Sequence, residues 1–151
     1  MINTTLCYIE KDNQYLMLLR NKKKNDINEG KWIGIGGKFE PGESAEECLL
    51  REAYEETGLT LTSYTLAGLI HFRSDCFEDE EMYLFTADGF TGTLRPDCRE
   101  GELRWIPKDE VLDLNLWEGD QVFLKRLMAG ERHLDITLRY RGDVLEEAIV
   151  G

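Results

Sequence analysis

The sequence predicts an α/β fold in which a mixed β-sheet lies between helices. Three observations predict it. Strand-like and helix-like segments alternate along the chain without a regular repeat, which suits a mixed sheet covered by helices. The 151 residues are 42% hydrophobic and 32% charged, the balance of a soluble globular chain long enough for a real core. No repeat, low-complexity stretch or linker divides the sequence, so a single domain over residues 1–151 is expected.

The elements follow in order. Residues 4–9 (TTLCYI) and 15–20 (YLMLLR) read as two strands joined across a polar turn from Glu10 to Gln14. Residues 21–31 are polar and carry Lys22, Lys23 and Lys24 together. They read as a solvated loop or as a phosphate contact, since few other basic clusters exist in so acidic a chain. Residues 32–39 (WIGIGGKF) resume extended structure. Pro41-Gly42 reads as a tight turn, Ser44 as a helix N-cap with Glu47 completing a capping box, and Gly58 as the C-cap of a helix over residues 45–57. On that helix Leu49, Leu50, Ala53, Tyr54 and Thr57 form the arc that can be buried. A long strand is expected over 62–73, an acidic hairpin tip over 74–81, and a strand over 82–87 (MYLFTA) whose nearly unbroken apolar run suits a central position. Beyond the loop 97–101 come a short strand at 103–106 (LRWI), a helical turn opened by Pro107, and a second helix over about 118–129 stopped at Gly130. Residues 133–140 and 144–149 close the chain as a hairpin around Arg141-Gly142-Asp143, a turn here and not an adhesion signal.

Charge narrows the function classes. The net charge is −12 and the pI about 4.6, so neither a nucleic-acid polymer nor an anionic membrane is an expected partner, as both need a basic footprint. A nucleotide stays open, because a divalent ion can bridge acid and phosphate. Cys7, Cys48, Cys76 and Cys98 form no C-x-x-C pair and read as reduced thiols. No signal peptide or membrane-length apolar run is visible, and cytoplasm is the expected location. His71 and His133 read as strand residues, not catalysts.

The most informative stretch is Gly37 to Leu59, with seven carboxylates. Glu52, Glu55 and Glu56 stand at i, i+3 and i+4 on the predicted helix and point from one face. Three carboxylates within a turn repel one another, and a fold keeps them there when a cation, most simply a hard divalent metal, sits among them. Gly34, Gly36 and Gly37 let backbone approach a ligand or metal. The spacing G-x5-E-x7-R-E-U-x-E-E-x-G-U, with U apolar, is met at Gly37, Glu43, Arg51, Glu52, Ala53, Glu55, Glu56, Gly58 and Leu59. It is the Nudix box, and the chain resembles the Nudix hydrolases, most nearly their MutT-like branch.

That resemblance implies an α/β/α sandwich with a mixed sheet and a Mg²⁺-dependent hydrolase, with Mn²⁺ as an alternative ion. It implies cleavage of a phosphoanhydride in a small nucleotide. Glu52, Glu55 and Glu56 are the candidate metal ligands, with the Gly37 carbonyl and Glu100 added by the resemblance. Glu43, Arg51 and Gly58 are structural, Arg51 pairing with Glu43 or Glu55. The general base is Glu52 or Glu56 in the box, or Glu100 or Glu102 on a later loop, with Glu100 favoured. Candidate substrate contacts are Lys23, Ile33, Lys38, Trp117 and Asp120. In the purine-triphosphate enzymes of this branch a tryptophan and an aspartate pair in W-P-D-D read the base. Trp117-Glu118-Gly119-Asp120 stands here, with Gly119 in place of the first aspartate and Ile33 in place of a base-reading asparagine. The implied substrate is a purine nucleoside triphosphate, split to monophosphate and pyrophosphate. A nucleotide sugar, ADP-ribose or a dinucleotide polyphosphate is the alternative, and a nucleotide sensor without turnover is a third.

Overall fold

The computed structural model describes residues 1–22, 28–96 and 98–151. The first strand, β1 (Ile2–Lys11), lies inside the sheet. Its residues 4–9 are all buried, because the sheet is covered on both faces there. Leu6 and Tyr8 enter one core cluster and Cys7 and Ile9 the other. This strict alternation is the period-2 geometry of a strand. It explains why the run lacks the polar half expected of a one-sided strand.

Along one edge, β1 runs parallel to β6 (Glu80–Gly92). Along the other it meets two partners in turn. Its first half pairs antiparallel with β4 (Ile35–Lys38), and its last two residues pair with β2 (Gln14–Arg20). The tight turn between β1 and β2 is made by Asp12 and Asn13, both at positive φ, where short polar side chains tolerate the left-handed region. β2 then pairs with β3 (Trp32–Ile33) and β7 (Gly101–Pro107). On the far side β6 pairs with β5 (Leu59–Ser74), β5 runs parallel to β8 (Leu134–Arg141), and β9 (Val144–Val150) forms the edge. The sheet is mixed, as expected.

Helix α1 (Ala45–Thr57) packs on one face. The short α2 (Lys108–Val111) and α3 (Glu118–Met128) pack on the other. The α3 side is anchored by fully buried Phe123, which meets Tyr8 at 6.2 Å between ring centroids. The caps of α1 are those expected: Ser44 Oγ accepts from Glu47 N at 3.1 Å, the Glu47 carboxylate accepts from Ser44 N at 2.9 Å, and Gly58 closes the helix at φ 81°.

Four details differ from the sequence reading. Glu80 and Glu81 are strand residues of β6, not a solvated tip: Glu80 accepts from Thr4 Oγ1 at 2.6 Å and Glu81 pairs with His71 and Arg73. β5 and β6 extend several residues beyond the apolar runs that marked them, since their ladder continues through polar residues. His133 precedes β8 and sits at φ 59° instead of opening the strand. Tyr54 is 54% exposed, its ring covered by the Arg95 guanidinium at 5.5 Å. The buried stripe of α1 is instead Cys48, Leu49, Ala53, Glu56 and Thr57.

Candidate active site

The site on the α1 side begins with a cation. Arg51 holds Glu43 through two bonds of 2.7 and 2.9 Å, Glu52 at 2.7 Å, Glu55 at 3.2 Å and the carbonyl of Lys38 at 3.0 Å. A planar guanidinium can serve so many acceptors because its donors fan out in one plane. The Arg51 hydrogen bonds pull the Glu43 carboxyl down to about 2, and its partners push the guanidinium higher still. Glu43 also accepts from Glu40 N at 2.9 Å. Arg51 and Glu43 thus clamp the loop before α1 onto the helix, and the pairing expected with Glu43 or Glu55 engages both.

Glu52 and Glu56 flank the buried Leu49–Ala53 stripe, one turn apart. Burial raises the Glu52 carboxyl despite Arg51. It raises Glu56 far more, and the charges of Glu52 and Glu100 add to the effect. Two neighbours oppose this: the Gly36 N–H bonds the Glu56 carboxyl, and the Arg20 charge acts on it. The other oxygen, Glu56 Oε2, is buried with no hydrogen-bond partner among the described residues. A buried acceptor left bare costs roughly 1–3 kcal/mol, so this atom is poised for a ligand.

Gly37 lies on β4 opposite Thr5. A Cβ there would come within 2.6–2.8 Å of the Glu52 carboxyl, so only glycine leaves this carboxylate its place. The Gly37 carbonyl accepts from Cys48 Sγ at 3.5 Å. Glu100 reaches the same region from the loop before β7: its charge acts on Glu56, Cys98 Sγ donates to its carboxylate at 3.4 Å, and its carbonyl accepts from Asn21 N and Lys22 N. Glu102 turns instead to Arg104 at 3.3 Å. Glu55 is exposed and held on Arg51. Among the described residues, no three His, Cys, Asp or Glu side chains converge as a ready-made cage. The donor set still fits a hard divalent ion, being all oxygen, with an orphaned carboxylate oxygen and a cradle kept open by Gly37.

The opposite side of the sheet carries a second set of polar groups. Asp120, in the first turn of α3, is buried, and its carboxyl is pushed up to about 7 by that burial and by the charge of Glu80, against the pull of Lys31. Trp117 precedes the helix. Its Nε1 donates to Asn28 Oδ1 at 2.8 Å, its ring meets Tyr140 edge-on at 5.7 Å, and Lys31 Nζ stands 5.0 Å over one face. A base stacks on that face only by displacing the cation. Phe72 and Tyr140 stack beside it at 6.4 Å.

The remaining candidates are dispersed. Ile33 packs with the α1-side cluster, whereas Trp32 packs with the α3-side cluster; the structure does not bring Ile33 together with Trp117. Lys38 is exposed, its charge acting on Glu78 and Glu80. Lys23 lies outside the described residues. Three residues of the two sites escaped the sequence reading. Arg20 acts on Glu56, and its signal was its place in phase with Leu16 and Leu18, which face α1. Lys31 and Tyr140 gave no local signal, because their partners lie far away in sequence.

The fold and the carboxylate helix define a class, and comparison with known proteins agrees. The NUDIX domain model matches residues 2–127, and the chain belongs to that family: it is a Nudix hydrolase. It is 30% identical over 140 residues to the uncharacterized Nudix hydrolase YvcI of Bacillus subtilis, covering 90% of this chain and 85% of that protein. It is 28% identical to the oxidized purine nucleoside triphosphate hydrolase of Danio rerio, covering 86% and 88%. A crystal structure of a mutator MutT protein from Bacillus halodurans superimposes with a TM-score of 0.90 at 30% identity, covering 99% and 97%.

Proposed function

We propose that this protein is a Mg²⁺-dependent pyrophosphohydrolase of purine nucleoside triphosphates, of the type that sanitises the nucleotide pool of oxidised bases such as 8-oxo-dGTP. Its products are a nucleoside monophosphate and pyrophosphate. The observation that carries the reading is the buried Asp120 beside Trp117 and the Phe72–Tyr140 stack, a carboxyl among aromatic rings where a purine edge can be bonded. The relatives named as oxidized purine nucleoside triphosphate hydrolases support it.

Glu52, Glu55 and Glu56, with Glu100 and the Gly37 carbonyl, would hold the metal, whose chemistry is to neutralise phosphate charge and acidify bound water. Arg51 orients the box loop through Glu43 and keeps Glu52 in position. Glu56, whose carboxyl is raised by burial, is the box candidate for base, and Glu100, whose charge acts on it, is the distal candidate. Lys23 and Lys38 are the proposed phosphate contacts, and Trp117 and Asp120 the proposed base contacts. The acidic surface and free thiols support a small nucleotide substrate and a reducing, cytoplasmic setting.

The test is a nucleotide screen with Mg²⁺ and with Mn²⁺ that reads released pyrophosphate and phosphate. The proposal expects purine triphosphates to yield pyrophosphate, with kcat/KM higher for the oxidised purine. Turnover confined to ADP-ribose or nucleotide sugars replaces the substrate class. Equal kcat/KM for oxidised and undamaged purine removes the sanitising role. No turnover with any nucleotide leaves a sensor.

A further inference from the structure

The polar groups on the α3 side are arranged around a glycine, Gly119, at the start of the helix. Gly119 N donates to the Tyr140 hydroxyl at 2.7 Å. A Cβ on residue 119 would lie 2.6 Å from that same oxygen and 2.6 Å from Leu138 Cδ1. Tyr140 therefore occupies the space a side chain at 119 would need, and its oxygen caps the start of α3, where Trp117 supplies no side-chain cap. The oxygen accepts from Gly119, and the phenolic proton meets no acceptor among the described residues. A phenol at this place offers a donor where a carboxylate would offer an acceptor.

Two neighbouring groups are also unspent among the described residues. The Asp120 carboxyl is buried and takes no hydrogen bond from a described residue, yet its charge acts on both Tyr140 and Tyr8. Tyr8 is fully buried on β1, and its hydroxyl has no partner among the described residues. Lys31 brings an ammonium to the same corner and acts on Asp120. Buried polar groups are paired in native proteins, and several unpaired ones together mark a place that a ligand completes. The set holds a phenolic donor (Tyr140 O–H) next to a carboxyl acceptor (Asp120), with the Lys31 ammonium beside them bonded to Asn115 Oδ1 at 3.3 Å.

From this, building on the purine reading above, we propose that Tyr140 is a specificity residue: its hydroxyl donates to the carbonyl of a 6-oxopurine while Asp120 accepts the adjacent ring N–H. A 6-aminopurine presents the reverse order, with its amino group against the phenolic proton and the ammonium and its bare ring nitrogen against the carboxylate. Each mismatch leaves a buried group unpaired, and such a site rejects the wrong edge far more strongly than a shape pocket does.

The test compares dITP with dATP, which differ in this edge, on the full chain with Mg²⁺. For the wild type kcat/KM is higher for dITP. Tyr140→Phe keeps the ring and removes the donor, so the dITP-to-dATP ratio falls roughly 3- to 10-fold, the effect of one neutral hydrogen bond, and the fall lies in KM for dITP. Loss of the helix cap alone would lower both substrates together and leave the ratio fixed. Equilibrium titration with dIMP and dAMP, followed by calorimetry, reads the same preference without turnover. A ratio unchanged by Tyr140→Phe, or no dIMP preference in the wild type, overturns the inference. Absence of pyrophosphate release with a dIMP preference that Tyr140→Phe erases instead overturns the proposed reaction and leaves the base reading standing.

Discussion

The two faces of the sheet solve the problem of buried charge in opposite ways. On the α1 side the acids crowd, but a single guanidinium meets four of them: Glu43, Glu52, Glu55 and, at 3.7 Å, Glu40. Among the described residues, Glu56 Oε2 is the acid oxygen of this side left buried and bare. On the α3 side one carboxyl, Asp120, is buried beside aromatic rings, with Lys31 as its opposing charge and Glu80 as its repelling one. The first arrangement is over-determined, and removing one partner leaves others. The second rests on fewer contacts among the described residues. The contrast separates the proposed chemistry site, built on one helix, from the proposed selection site, assembled across the fold.

The comparison is broken most severely at Glu56. Glu56→Gln removes the one unpartnered carboxylate oxygen from the box, and steady-state assays should show a loss of roughly 10²–10⁴ in kcat, the range for a general base. The same variant should lose much of the Mg²⁺-induced rise in Tm. For Glu100→Gln a loss of similar size is expected, and an unchanged kcat would take Glu100 out of the mechanism.

The next effect is on stability and belongs to the α3 side. Gly119→Ala drives a methyl into the Tyr140 oxygen and Leu138, at a cost of about 1–3 kcal/mol in denaturant unfolding. Pairing it with Tyr140→Ala should recover part of that cost. Additive losses in the double-mutant cycle would mean that the two positions do not compete for space.

Asp120 sharpens the contrast through pH. Its folded carboxyl sits at about 7 against an unfolded value of 3.8, so the folded state holds the proton more tightly. The stability it contributes is fully present below about pH 4 and is lost as pH rises through 7. Asp120→Asn should therefore flatten the fall in Tm between pH 4 and 7 relative to wild type. Glu43 runs the other way. Its carboxyl is lowered to about 2 from 4.5, so its contribution is present above pH 4.5 and is lost on acidification towards pH 2. Glu43→Gln should weaken the acid limb of the Tm profile and leave the Asp120 limb alone. The smallest change expected is Ser44→Ala, about 1 kcal/mol from the loss of the N-cap.

The box helix was legible because its logic is local. Ser44 and Glu47 cap within three residues, and Arg51 finds Glu43 eight residues away. Helical spacing is enough to see such pairs. It did not show that Glu56 is buried while Tyr54 is not, because the turn of the helix on the sheet is set by what β4 and β5 present to it. The α3 side was legible only as Trp117 and Asp120. Trp117 is held by Asn28, 89 positions away, and Lys31 bonds Asn115 across 84. The Tyr140 hydroxyl arrives from β8, 21 positions after the Gly119 it bonds. Ile33 shows the same limit from the other direction: its side chain joins the α1-side cluster, a matter of strand pleat that a motif position does not carry. The strand order also lay beyond the sequence, since β1 takes two successive partners along one edge.

The Gly119–Tyr140 contact also constrains the routes by which such a chain can change. An aspartate cannot enter at 119 while the phenol stands there, and a smaller residue at 140 leaves α3 without its cap until 119 is refilled. A switch from a donor to an acceptor at this corner therefore needs two steps in a set order, tyrosine first, through an intermediate weakened at the helix start. Selectivity here behaves as a latch and not as a dial: single substitutions around it loosen the pocket, and inverting it takes a coordinated pair.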